Sequence, residues 1–158
     1  MTVHRILIHI GYHKTATTWM QTKLFTPAHH YHQLMNHQEV HDLIVGPHGL
    51  VFDPVPARNL IAQRLAKLEP NEVPVISSEI LSGLPFLGAR ESDCFAHRLK
   101  QIAPDALILA SIRAQLKILP SVYMQYLLRS GTMPPEQFFT ERESVGHHRF
   151  NPVHFEYD

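Results

Sequence analysis

Lys14, Thr15, Thr17 and Thr18 fall within five residues of "HIGYHKTATTWMQ". One ammonium and three hydroxyls this close together are suited to holding an anion, most naturally a phosphate. The residues before them, "RILIHI" at 5–10, are mostly β-branched and aliphatic, interrupted by His9 and closed by Gly11. They read as a buried strand. Residues 17–25 read as a helix that stops before Pro27. The polar cluster therefore sits where a strand turns into a helix. Free backbone N–H groups and the positive end of the helix dipole favour an anion there. The competing reading is a plain turn capped by threonine, with Lys14 in water. The triphosphate pattern G-x-x-x-x-G-K-[ST] is not met, because its second glycine is missing and Lys14 precedes the threonines at a different spacing.

Two further stretches carry comparable chemistry. In "SIRAQLKILPSVYMQYLLRSG", Arg113 follows the apolar run "ALILASI" at 106–112, which reads as a buried strand. Ser121 lies eight residues on, at the start of a helix expected over 121–130, with Pro120 near its start and Gly131 at its end. A guanidinium and a hydroxyl so placed can close on a second phosphate. In "ISSEILSGLP", Glu79 stands just past another strand, residues 73–78. It is a candidate general base, or else a helix-start carboxylate or an ion-pair partner of Lys14. His13, beside Lys14, is a second candidate base.

The elements that must position these residues alternate. Helices are expected over 57–68, with Leu60, Ile61, Leu65 and Leu68 on one face, and over 91–102. A short helix is expected around 40–45, and another opens at Pro135. Strands alternating with helices imply a central parallel sheet with helices on both faces, an α/β fold. Ligands bind such sheets beyond the carboxyl ends of the strands. That rule selects residues 11–18, 77–83 and 113–121, and three polar stretches at corresponding ends predict one composite pocket.

"HIGYHKTATTWMQ" closely resembles the phosphosulfate-binding loop of sulfotransferases, in the form found in bacterial sulfotransferase-like proteins. "ASIRAQLKILPSVYMQYLLRSG" resembles the family's second signature, which holds the donor's 3′-phosphate. The resemblance covers about the first 130 residues, in patches. It implies a nucleoside-triphosphate-hydrolase-like α/β fold and the donor 3′-phosphoadenosine-5′-phosphosulfate (PAPS), with no metal. It also implies roles. Lys14 meets the sulfuryl group and the bridging oxygen. Thr15, Thr17 and Thr18 hold the 5′-phosphate, in a loop completed by His13 and Ala16. Arg113 and Ser121 hold the 3′-phosphate, and Glu79 or His13 deprotonates the acceptor. Ala16 is a departure, since the family has glycine there; alanine is penalised if the position needs a positive φ. Family members also continue past the second signature, whereas this chain stops at "GHHRFNPVHFEYD". A fragment, a short relative and a pocket completed by another subunit are all open.

Composition limits the alternatives. A chain of 158 residues predicts a single domain over 1–158. Formal net charge is zero, which argues against bulk electrostatic binding to nucleic acid. Cys94 is the only cysteine, so no intrachain disulfide forms and a cytoplasmic location is expected. No stretch is long and apolar enough for a membrane span. Thirteen histidines, "HHYH" with His37 and His41 among them, raise a metal site, but no spacing matches a ligand pattern. The expected function is sulfuryl transfer to a small-molecule or carbohydrate hydroxyl or amine. Tyr31, Phe52, Leu84, Pro85 and Phe86 are loop residues available to an acceptor pocket. A non-catalytic nucleotide-binding module is the alternative, and a small-molecule kinase a weaker third. Homodimerisation or further sequence could cover the edge of a three-stranded sheet.

Overall fold

Ile8, Val75 and Ile76 are fully buried, and their branched side chains suit a pleated surface packed from both sides. They lie on β1 (Leu7–Gly11) and β3 (Val73–Ser77) of a sheet completed by β2 (Tyr31–Gln33) and β4 (Leu107–Ser111). The strand order is β2-β3-β1-β4, and every pairing is parallel. The structure is a computed structural model that describes residues 5–85, 89–139 and 152–155. Phe86 lies outside the described residues. Helices flank the sheet: α1 (Thr17–Trp19), continued by a π-helical stretch Met20–Leu24; α2 (His37–Val40), continued likewise by His41–Val45; α3 (Val55–Leu65); α4 (Ser92–Ile102); α5 (Gln115–Leu128); and α6 (Pro135–Phe138). Among the described residues no helix is long and apolar enough to cross a membrane.

The chain runs from β1 outward to β2, back to β3, and then over β1 to β4. The loop after β1 is thereby flanked on both sides by strand ends, the position where parallel sheets bind ligands. The main core joins Ile8 and Ile76 of the sheet to Val40, Ile44, Ile61 and Leu99 of the helices. A second cluster joins Ile118 and Val122 of α5 to Phe138 and Phe155, with Tyr123 and Tyr126 packed against it.

Three local expectations change. "ALILASI" forms a strand, but not a buried one: Leu107, Ile108 and Leu109 are 47%, 58% and 39% exposed. The cause is position, because β4 is at the sheet edge and, among the described residues, pairs with β1 alone. β2 was not expected, because it is three residues long and offers Tyr31, His32 and Gln33 in place of an apolar run. Helix α5 begins at Gln115, so Ser121 stands in its second turn and Pro120 inside the helix. A proline there forfeits a hydrogen bond and crowds the preceding turn, at about 3 kcal/mol. Burial of Ile118 and Val122, one turn apart, carries the helix through it.

One buried cation fixes the segment that leads to the site. Arg98 of α4 is 5% exposed. It donates to the carbonyl of Ile44, to that of Val45 at 3.2 Å and to that of Pro47 at 2.7 Å. Its guanidinium lies 4.6 Å from the centre of the Phe52 ring. The Ile44 and Val45 carbonyls end the π-helical stretch after α2, where the helix supplies no donor of its own, and that of Pro47 lies two residues beyond it. Phe52 is therefore a packing residue, and Tyr31, on the edge strand β2, meets the Phe25 ring edge-on at 5.2 Å between centroids. Arg98→Ala should lower unfolding stability by about 3–5 kcal/mol, and Arg98→Lys, which lacks the planar fork, should restore less than half. Urea unfolding of the variants measures both.

Candidate functional site

Between Gly11 and helix α1 the backbone takes an unusual course. Lys14 and Ala16 both have positive φ, 66° and 65°. Left-handed residues spaced in this way turn successive N–H groups toward one concave side, which favours an anion. The turn is closed by Thr15 N–H to the Tyr12 carbonyl (3.2 Å) and tied to β4 by Tyr12 N–H to the Ser111 carbonyl (3.1 Å). Gly11 is required by close approach, since a Cβ there would lie 2.1 Å from Thr17 Oγ1.

A cavity of about 540 Å³ opens over this loop. Residues 13–18 line it together with Glu79, Ile112, Arg113 and Gln125, so all three polar stretches meet in one pocket. Glu79 arrives from β3, as the first residue of the 3₁₀ turn Glu79–Ser82. Arg113 follows β4 and donates from Nη1 to the Lys14 carbonyl at 3.2 Å, which ties the cationic arm to the loop. A smaller cavity, about 230 Å³, adjoins it and shares His13, Glu79 and Gln125. His37, Leu84, Pro85 and Arg129 form much of its remaining wall. His37 opens α2, where Asn36 and Glu39 cap each other's backbone (2.9 and 2.8 Å) and Glu39 pairs with Arg64 at 2.6 Å.

The threonines divide in their roles. Thr18 is exposed beside the cavity. Thr17 is 4% exposed, and its hydroxyl is buried with no partner among the described residues. Thr15 donates its hydroxyl to the Tyr12 carbonyl (2.5 Å), so this proton is not offered to a bound phosphate. Ser121 does not line the cavity; its hydroxyl donates back to the Lys117 carbonyl at 3.2 Å within α5. Gln125 and Arg129, four residues apart on the same helix and next to its end, were not anticipated. Only their helical spacing after Ser121 could have pointed to them.

Burial sets the histidine chemistry. His13 Nε2 donates to the Gly83 carbonyl at 3.2 Å, which leaves the lone pair on Nδ1. Desolvation holds its pKa below the usual imidazole value; Glu79 pulls upward and Lys14 and Arg129 downward. His154, packed on Tyr12 and His13, is lowered to about 4, first by burial and then by His13. Other histidines have local partners: His30 bonds Asn71, and His41 bonds Asp42. Among the described residues no group of three or more His, Cys, Asp or Glu side chains could hold a metal.

No protein-family model matches this chain, and neither the curated proteins nor the solved structures give a match.

Two outcomes follow from the loop and its histidines. Ala16→Gly removes a left-handed alanine and should raise unfolding stability by about 0.5–1 kcal/mol, less than the full left-handed penalty because glycine also loosens the unfolded chain. Urea unfolding reads this, and a destabilised variant would contradict the strain. Burial lowers His9, His13 and His154 from the ordinary 6.5. As pH falls from 6.5 toward 4, the unfolded chain takes up protons that the folded chain refuses, so stability must fall with pH in that window. His154→Phe should flatten the slope in thermal melts.

Proposed function

We propose that this chain binds PAPS and transfers its sulfuryl group to an acceptor hydroxyl or amine. The observation that carries this reading is the single cavity of about 540 Å³ in which Lys14, Arg113 and Glu79 meet, each delivered by a different strand end. Its size lies in the range of nucleotide and cofactor sites. Its cations suit a ligand with two separated phosphate groups. Lys14 and the loop backbone hold the 5′-phosphosulfate, and Arg113 holds the 3′-phosphate. Ser121 is not needed for that hold in the arrangement observed, because its hydroxyl serves Lys117.

The acceptor enters from the adjoining cavity, which shares Glu79 and His13 with the donor cavity. Its oxygen or nitrogen attacks sulfur in line as the bond from sulfur to the bridging phosphate oxygen breaks. The acceptor proton passes to Glu79, a residue that lines both cavities. Adenosine 3′,5′-bisphosphate leaves, and the charge growing on its 5′-phosphate is met by Lys14. His13, neutral with a bare Nδ1, is the second group able to take that proton.

Titration calorimetry with adenosine 3′,5′-bisphosphate, followed by transfer of labelled sulfate to a broad acceptor panel, tests the reading. No heat at millimolar nucleotide overturns it. Binding without transfer to any acceptor establishes the alternative, a nucleotide-binding module. The two cations should fail differently. Arg113→Ala removes binding common to ground and transition states, so donor KM rises with little change in kcat, at about 2–3 kcal/mol of lost affinity. Lys14→Ala removes a contact that strengthens during transfer, so kcat falls by roughly 10²–10³. Identical profiles would overturn the assignment of the two cations to opposite ends of the donor.

A further inference from the structure

His9 stands in the middle of β1, wholly buried, with both ring nitrogens bonded. Nδ1 lies 2.8 Å from Ser77 Oγ at the end of β3, and Nε2 lies 3.0 Å from Ser111 Oγ at the end of β4. Ser111 Oγ in turn lies 2.9 Å from Thr15 Oγ1 in the loop. The ends of β3 and β4, the middle of β1 and the loop are thus joined by one line of side chains, and the direction of every bond in it can be deduced. A carbonyl only accepts, so Thr15 spends its single hydroxyl proton on the Tyr12 carbonyl at 2.5 Å. Ser111 must then donate to Thr15, and its own proton is spent. His9 Nε2 must therefore carry a hydrogen and donate to Ser111. In a neutral ring Nδ1 is then bare and accepts from Ser77.

We propose that His9 is a positioning residue for the anion loop, fixed as the Nε2–H tautomer in a one-way chain from Ser77 through His9 and Ser111 to Thr15. The chain has a chemical consequence at its far end. It commits the Thr15 hydroxyl to the loop's own backbone, so Thr15 shapes the site and does not donate to the ligand. Its neutrality follows from the same place in the fold, since burial lowers the His9 pKa. A Cβ on Gly11 would sit 3.2 Å from both His9 Cε1 and Ser111 Oγ, so the glycine also leaves room for this line. The inference rests on the PAPS reading only for its affinity readout; the tautomer and the loop order are properties of the protein alone.

The decisive measurement is a long-range ¹⁵N–¹H spectrum of the full chain labelled at histidine, with His9 assigned by its loss in His9→Gln. The expected result is the Nε2–H pattern with Nδ1 in the unprotonated range. An Nδ1–H tautomer, or an averaged pair, overturns the chain as drawn. Thr15→Val should leave Ser111 free to donate to Nε2 and the ring free to exchange tautomers, which a purely packing role would not do, whereas Ser77→Ala should keep the Nε2–H pattern. His9→Gln keeps an N–H near the Nε2 position, and His9→Leu does not. Amide exchange at Tyr12 and Thr15, whose N–H groups bond the Ser111 and Tyr12 carbonyls, should rise about tenfold in His9→Leu and be largely restored in His9→Gln. Exchange in His9→Leu equal to that of the parent chain overturns the positioning role. Affinity for adenosine 3′,5′-bisphosphate should follow the same order. If the parent chain binds no bisphosphate, the proposed function falls while the tautomer and exchange results still decide this one.

Discussion

The turn from β1 into α1 holds Lys14 and Ala16 in left-handed backbone, at φ of 66° and 65°, and the rest of this end of the sheet is arranged around it. Left-handed backbone in residues with a Cβ is unfavourable by about 1–2 kcal/mol each, so such a turn persists only where its surroundings over-determine it. Here they do. Tyr12 is bonded to β4 through the Ser111 carbonyl, Thr15 to Tyr12 through both N–H and hydroxyl, and Lys14 to Arg113 through its carbonyl. His9 ties the same loop to β3 from below. Gly11 admits this crowding because it has no Cβ to collide with Thr17. The loop is not a flexible strap across the strand ends but a fixed concavity, and fixed dipoles stabilise charge without reorganising.

Cationic side chains are partitioned by what they have left to offer. Arg98 and Arg64 are consumed in structure, one capping the stretch after α2 and the other pairing with Glu39. Lys14, Arg113 and Arg129 border the two cavities. A chain with zero formal charge can thus present a locally positive site, with Glu79 the carboxylate among them. Focusing charge in a cleft, and not spreading it over the surface, selects a small polyanion over a long one.

The polar turn after β1, both flanking elements and the place of Glu79 just past β3 were legible because short-range signals govern them: an aliphatic run, a glycine, and a polar turn. Strand order was not, since nothing local in "ALILASI" says whether it lies inside a sheet or at its edge. β2 escaped because three residues with His32 and Gln33 carry no periodic signal. Pro120 misled, because proline marks a helix start only when packing elsewhere does not pull the helix past it. The hydroxyl of Thr15 looked like a ligand donor by type, and geometry turned it inward. His9 looked like an interruption of an apolar run. In three dimensions it is a polar side chain that spans from β3 to β4 across β1.

β4 shows what kind of stability the site uses. Its side chains are largely exposed, so apolar burial contributes little to holding it. What holds it is continuous parallel pairing with β1, from Leu7 opposite Leu107 to Gly11 opposite Ser111. Arg113 is carried two residues beyond that pairing, where its guanidinium reaches back to the Lys14 carbonyl. The cationic arm and the anion loop therefore brace each other through backbone groups and through Ser111, which bonds both His9 and Thr15. A disturbance at either must be felt at the other, because the two share these bonds. An anion held between Lys14 and Arg113 would lie across this brace and tighten it, and binding and local order at this end of the sheet would then be one process.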